Sequence, residues 1–232
     1  MKLFRLECQK VNFRPYLFSV AAIATFLLGM MYLIGFLSTQ TLIKVPGAPQ
    51  FKTVDDLFML ISITAAVIFG VLAAVLFSKI VIEPYGSRQV QLLFSYPVKR
   101  SRIFWLKIGL VYGFITMTLF ASLSVSLGVF YITEQISPLL TSNTIHMGAI
   151  FSQSFLALCV AIAISSISLS IAFKKKSVQL TIVLSIIFAA IISNVLQLND
   201  TFLNLGAAVV LIVGTIFSLM HVLRQVKVME AG

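Results

Sequence analysis

Long apolar stretches, separated by short polar segments, run along almost the whole chain. Five of them contain no Asp, Glu, Lys or Arg over about 20 residues or more, and a sixth, 103–132, carries only Lys107, one turn from its start. About 20 apolar residues suffice for a helix to cross a bilayer. The pattern therefore predicts an all-α integral membrane protein, one domain over 1–232 with six transmembrane helices, at 16–37, 57–78, 103–132, 146–173, 177–197 and 201–222.

Composition and charge support this class and orient the chain. Hydrophobic residues make up 59% of the chain and charged ones 10%, whereas soluble domains carry about a quarter charged residues. If both termini lie inside, the 17 Lys and Arg divide 15 to 2, with only Lys44 and Lys52 outside. Because short inner loops carry the positive excess, the net charge of +10 reports orientation in the cell membrane. We therefore expect no nucleic-acid partner.

The first 14 residues predict a helix lying in the membrane interface. Phe4, Cys8 and Val11 fall on one helical stripe, with basic side chains opposite, as in helices that lie flat on a bilayer. Pro15 then marks the turn into the first span.

The polar segment 83–102 is the one most suited to face a partner protein. Glu83 and Pro84 favour a helix start, and Val90, Leu93, Phe94 and Pro97 follow at i, i+3, i+4 and i+7. This spacing predicts a short amphipathic helix. Its apolar face would fill a groove on a partner or, alternatively, lie in lipid.

Motifs for catalysis and cofactor binding are absent from the sequence. Cys8 and Cys159 lie in an inner segment and in the middle of a span, the two histidines have no cysteine nearby, and no phosphate-binding glycine loop occurs. We expect no catalytic, metal or cofactor site and no enzyme activity in this chain. Ionisable residues at mid-depth, which mark ion coupling in membrane transporters, are also missing, so transport would need an external energy source.

The run from Glu83 to Lys107 resembles the cytoplasmic signature of ABC-2 type transporter permeases. In that family a glutamate, a glycine, a leucine-rich turn, a Pro-Val/Ile-x-Arg sequence and a later lysine recur. The resemblance implies a permease subunit that pairs with a second permease copy or paralogue and with cytosolic ABC ATPase subunits, which bind the ATP. It implies that 83–102 is the coupling segment and that its coupling residues are Glu83, Gly86, Arg88, Val90, Leu93, Phe94, Pro97 and Arg100.

As a small permease, the chain resembles those of peptide-toxin exporters and of bacitracin- and lantibiotic-resistance systems. This resemblance implies export of amphipathic peptides. A lipid-linked glycan or a hydrophobic drug is the alternative cargo. A non-transporting assembly factor or sensor partner is the alternative of another class. The short connection between spans five and six departs from larger family members, and 193–205 could instead form a re-entrant hairpin.

Polar and small residues inside the spans have two interpretations each. Gln153, Ser154, Ser122 and Asn194 could line a substrate path, although hydroxyls in membrane helices more often bond to their own backbone. Gly70, Ala74 and Ser78 recur every four residues, and Gly109 with Gly113 forms a GxxxG motif. Such stripes let helices approach closely, and packing within the subunit is favoured over a dimer seam.

Overall fold

The computed structural model describes residues 14–39, 54–82, 100–136, 147–175, 177–196 and 201–231. Three predictions therefore concern segments outside the described residues, wholly or in large part. These are the interfacial helix over 1–14, of which only the last residue is described, the coupling segment up to residue 99, and the short connection after α5 at 197–200.

The described residues form six helices and no strand, as the apolar pattern predicts. The helices are α1 (Arg14–Thr39), α2 (Val54–Phe77), α3 (Arg100–Ile136), α4 (Met147–Lys175), α5 (Val178–Leu196) and α6 (Thr201–Ala231). Between α2 and the coupling segment lies a π-helical turn, Ser78–Ile82, which we call the π-turn. The all-α prediction is confirmed, and most helices extend beyond the apolar stretches that predict them.

Five of these helices are long and apolar enough to cross a membrane. The candidate spans are Arg14–Leu37, Leu57–Ile82, Phe104–Thr133, Ile150–Lys175 and Ala208–Gln225. The apolar part of α5, Val178–Asn194, is shorter. All 19 residues of α5 measure about 28 Å at 1.5 Å per residue, slightly less than the hydrocarbon core of about 30 Å. The chain is a multi-pass membrane protein with five such helices in its described part.

The helices carry apolar side chains on their exposed faces. Phe18 on α1 is 79% exposed, Met117 on α3 is 78% exposed, and Phe217 on α6 is 74% exposed. Removing such a side chain from water is worth about 1.5–3 kcal/mol. Faces of this kind are therefore typical of helices that contact lipid.

Residues 14–39, 54–66, 117–136 and 147–157 form one compact unit, built on α1, the first half of α2, the second half of α3 and the first part of α4. The Phe130 ring lies 3.6 Å from the position that a Cβ on Gly35 would take, and the Leu57 side chain lies 3.8 Å from it. The Tyr32 and Phe130 rings pack at 5.4 Å, and the Tyr32 and Thr133 hydroxyls are hydrogen-bonded. Aromatic packing and one hydroxyl pair thus join α1 to α3.

The described residues within 67–116 and 158–231 form the second compact unit. Its core is the densely buried face of α4, where Ala161, Ile164 and Leu169 are fully shielded from solvent. A Cβ on Gly70 of α2 would lie 3.1 Å from the Ile164 side chain, and Ala74 and Ser78 on the same stripe are buried. The Gly70 stripe therefore packs within the subunit, as expected.

The turn from α4 to α5 is held by Ser177. Its backbone N–H donates to the Ala172 carbonyl at 3.4 Å, and its hydroxyl accepts a hydrogen bond from the Leu180 N–H, also at 3.4 Å. A serine that accepts from the third residue of a helix satisfies one of its free N–H groups. Ser177 therefore ends one helix and caps the next.

Candidate functional site

The coupling segment is bordered by the π-turn on one side and by the start of α3 on the other. Within the π-turn, Ser78, Ile80, Val81 and Ile82 are buried, and only Lys79 is exposed. Helix α5 packs against this turn. A π-helical turn is rare and is frequently found at functional sites. The chain therefore enters the predicted coupling segment from an unusual and firmly packed backbone.

Lys107 on α3 reaches this turn directly. Its ammonium group donates a hydrogen bond to the Ile80 carbonyl oxygen at 3.1 Å, and the residue is only 7% exposed. An ammonium group withdrawn from water needs hydrogen-bond acceptors, and a carbonyl in a widened turn can accept from a side chain. The contact therefore joins α2 and α3 at the base of the coupling segment.

Aromatic side chains reinforce the same junction. The ring of Phe77, the last residue of α2 before the π-turn, meets the Tyr112 ring edge-on at 5.0 Å. The rings of Phe104 on α3 and Phe173 on α4 pack in the same manner at 6.1 Å. Edge-to-face pairs at such distances stabilise by about 0.5–1.5 kcal/mol beyond their burial. Helices α2, α3 and α4 are thus held together at this end.

The Tyr112 hydroxyl is buried and has no hydrogen-bond partner among the described residues. The Ser165 and Ser166 side chains of α4 lie beside it. Both serine hydroxyls donate to carbonyls of their own helix, at 2.8 to 3.1 Å. Their protons are therefore engaged, and only their oxygens could pair with Tyr112, as acceptors of its O–H. Among the described residues the Tyr112 hydroxyl does not reach hydrogen-bond geometry with them.

Most of the predicted coupling residues cannot be placed. Glu83, Gly86, Arg88, Val90, Leu93, Phe94 and Pro97 lie outside the described residues. Arg100 is the first residue of α3, so the last predicted coupling residue stands at a helix start, seven residues before Lys107.

The four residues of the predicted substrate path are divided between the two compact units. Ser122 and Ser154 are buried, and their hydroxyls donate to the Leu119 and Ile150 carbonyls of their own helices at 2.9 and 2.8 Å. Asn194 is exposed, belongs to the second unit, and donates to its own helix at 2.7 Å. Three of the four therefore follow the back-bonding interpretation.

Gln153 differs from the other three. Its side-chain oxygen is buried and has no hydrogen-bond partner in the ranges that the structure covers. Two serine hydroxyls of the same unit, those of Ser62 and Ser126, share this property. A buried acceptor without a partner costs about 1–3 kcal/mol, so Gln153 is the member of the set that keeps a capacity to bind a polar group.

The GxxxG motif of α3 does not pack within the subunit in the described part of the chain. Gly109 and Gly113 are exposed, and a Cβ on either would meet nothing within 4 Å. The described residues therefore give no support here to packing within the subunit, and the dimer seam remains the alternative. Within the described ranges, the Gly70 stripe of α2 packs against a neighbour, and the Gly109 and Gly113 motif of α3 does not.

Sequence reasoning missed the π-turn and the role of Lys107. The lysine was visible as the single charge in an apolar span, but its acceptor lies 27 residues away in sequence. The run Ser78–Ile82, SKIVI, has no composition that distinguishes a π-turn from an α-helix. The available signal was a lysine in an apolar span, because a buried ammonium group needs a hydrogen-bond acceptor on a neighbouring segment.

Comparisons with known proteins leave the family open. No family model matches the chain, and no solved structure matches it. The chain is similar to a protein of Bacillus subtilis (strain 168), described as uncharacterized protein YcbO, with 27% identity over 199 residues. The match covers 84% of each chain.

Proposed function

We propose that the chain is the membrane-spanning permease subunit of an ATP-driven ABC exporter. The main support is the contact between the two ends of the region around the coupling segment. Lys107, the last residue of the run that resembles the ABC-2 permease signature, donates a hydrogen bond to the Ile80 carbonyl, just before the run begins. A segment that receives motion from an ATPase must be joined firmly to the membrane helices, since a loose connection would absorb the movement.

The distribution of charge supports an external energy source. No Asp, Glu, Lys or Arg lies in the middle of any of the five described candidate spans. Lys79, Lys107 and Lys174 stand near span ends. Ion-coupled transporters carry ionisable groups at depth, because these groups bind the coupling ion. Hydrolysis of ATP by separate cytosolic subunits is the energy source that agrees with this distribution.

The proposed topology has six crossings with both termini inside, in the cell membrane. Helix α5 forms the fifth crossing, although its apolar part is shorter than those of the other helices. Helices α4 and α6, which precede and follow it, are 29 and 31 residues long and can each cross the bilayer. The division of basic residues, 15 to 2, supports this orientation. No side chain in the part of the chain that the structure describes covers Gly109 and Gly113 of α3, which supports packing of a second permease copy or paralogue there.

The proposed cargo is an amphipathic peptide, with a lipid-linked glycan or a hydrophobic drug as the alternative. Apolar faces on α1, α3 and α6 and the unpaired acceptor of Gln153 offer contacts for apolar side chains and for a backbone amide. A small ion would need charged ligands, and the middle of the described spans offers none.

The test is recovery of an ATPase with the permease. The tagged chain is purified from its native membrane in mild detergent, and co-purifying proteins are identified and assayed for ATP hydrolysis. We expect an ABC-type ATPase with the wild type, and its recovery should fall at least fivefold in Phe94→Ala, because a few buried aromatic anchors dominate such interfaces.

The matched control is Phe51→Ala, which removes the same side chain from the predicted outer loop. It should retain full recovery. Equal recovery with both variants would show that the coupling assignment is wrong. Purification without any ATPase would favour the non-transporting class, and stimulation of hydrolysis by a glycan but by no peptide would replace the cargo.

A further inference from the structure

The π-turn at Ser78–Ile82 has a structural role that the coupling signature does not include. It is the last described backbone before the coupling segment, and four of its five side chains are buried. The Ser78 hydroxyl donates to the Val75 carbonyl at 2.7 Å, at the point where α-helical geometry gives way to the wider turn. Such a turn adds one residue to a helix and changes the direction of everything that follows.

Lys107 contacts this turn at its central residue. The donor is an ammonium group 7% exposed, and the acceptor is a backbone carbonyl, that of Ile80, at 3.1 Å. Because a lysine side chain has several rotatable bonds and strongly prefers water, it stays buried only where the acceptor is fixed. The lysine and the turn therefore stabilise each other.

The surroundings leave the turn little freedom. Phe77, immediately before it, packs edge-on against Tyr112 of α3, and α5 packs against the turn itself. All of these residues belong to the same compact unit. Without the Lys107 hydrogen bond, the Phe77–Tyr112 contact and the packing of α5 would remain. The Ile80 carbonyl would lose the donor that Lys107 supplies from α3.

We propose that Lys107 is a positioning residue that keeps Ser78–Ile82 in the π-helical form and so sets the direction in which the chain enters the coupling segment. This inference rests on the proposed function for its consequence in transport. If the turn reverted to α-helix, each residue beyond it would rotate by about 100° around the helix axis. The apolar side of the coupling segment would then face away from its partner.

The first experiment measures the turn itself and needs no ATPase. Backbone hydrogen exchange is followed by mass spectrometry in peptides covering Ser78–Ile82 of the purified full chain. Lys107→Met, which keeps the length but loses the donor, should raise exchange there at least tenfold. Lys107→Arg, which keeps a cationic donor, should remain near the wild type. Lys174→Met removes an exposed lysine of α4 and is the control, expected to have no effect on this peptide.

A deletion of Val81 keeps the proposal testable if Lys107→Met does not yield a monodisperse protein. Removing one residue allows the π-turn to become a regular α-helix, which no longer needs the side-chain donor. Lys107→Met should then add no further exchange on top of the deletion. An additional increase would show that Lys107 acts elsewhere, and unchanged exchange in Lys107→Met alone would overturn the proposal.

The second experiment measures coupling in the assembled complex. Substrate-stimulated ATP hydrolysis should fall at least tenfold in Lys107→Met and should recover in Lys107→Arg. If exchange rises in Lys107→Met but coupling is unchanged, the positioning role is wrong although the contact exists. If no ATPase co-purifies with the wild-type chain, the proposed function is wrong. The hydrogen-exchange measurement still decides separately whether Lys107 holds the π-turn.

Discussion

Gly70 on α2 and Ile164 on α4 approach so closely that a Cβ on Gly70 would lie 3.1 Å from the Ile164 side chain. Both belong to the same compact unit, and Ile164 is fully buried. In a bilayer the hydrophobic effect does not drive helices together, because lipid tails are as apolar as the side chains. Close approach of this kind stabilises the pair instead, by increasing its van der Waals contacts. The contact therefore lets α2 and α4 pack backbone against side chain at this point.

A larger residue at position 70 should destabilise the protein. Gly70→Leu forces side-chain atoms into the space of Ile164, and overpacking of this kind costs about 1–3 kcal/mol. Thermal unfolding, followed by size-exclusion chromatography in detergent, should shift to lower temperature. Gly29→Leu is the control, since nothing lies within 4 Å of a Cβ there. Ile164→Ala should partly rescue Gly70→Leu, and absence of rescue would place the strain elsewhere.

Two tyrosines should respond in opposite ways to loss of the hydroxyl. The Thr133 hydroxyl donates to carbonyls of its own helix, so Tyr32 donates to Thr133. Tyr32→Phe should therefore cost about 0.5–1.5 kcal/mol. Tyr112 has a buried hydroxyl without a partner among the described residues, so Tyr112→Phe should leave stability unchanged or raise it by up to about 1 kcal/mol.

The same unfolding assay compares these two variants directly. Both substitutions keep the aromatic ring, and with it the contacts to Phe130 and Phe77 respectively. A large loss of stability in Tyr112→Phe would mean that its hydroxyl does have a partner, such as the oxygen of Ser165 or Ser166.

The predicted topology can be tested with single cysteines. In a background with Cys8→Ser and Cys159→Ser, Thr53→Cys and Asn143→Cys should react with a membrane-impermeant maleimide added from outside. Lys174→Cys, on an exposed side chain near the end of α4, should react only after the membrane is opened. The expectation follows from the excess of basic residues on inner segments. Labelling of Lys174→Cys in intact cells would reverse the orientation.

The purified chain should bind no ATP by itself. No GxxxxGK[ST] sequence is present, and such a loop supplies the backbone N–H groups that cradle phosphates. Equilibrium binding with a fluorescent ATP analogue should show no saturable component at millimolar nucleotide. Saturable binding that unlabelled ATP displaces would contradict the division of labour between permease and ATPase.

The positions and type of the helices were determined by the sequence itself. In a bilayer each backbone N–H and C=O must find a partner without water, and a helix satisfies them within its own segment. The length of the apolar stretches therefore predicted all six helices. Whether α5 crosses the membrane remains a proposal, because its apolar part is shorter than those of the other five. The same local rule explains why Ser122, Ser154 and Asn194 bond to their own helices.

What only the tertiary structure decided depends on side chains from different helices. The α2 stripe at Gly70 and the α3 motif at Gly109 and Gly113 look alike in sequence, yet only the former meets a neighbour among the described residues. The change from α-helix to π-turn at Ser78, and its hydrogen bond to Lys107, likewise need a donor brought from another helix. No local pattern specifies that donor, because helix packing alone places the ammonium group against the Ile80 carbonyl.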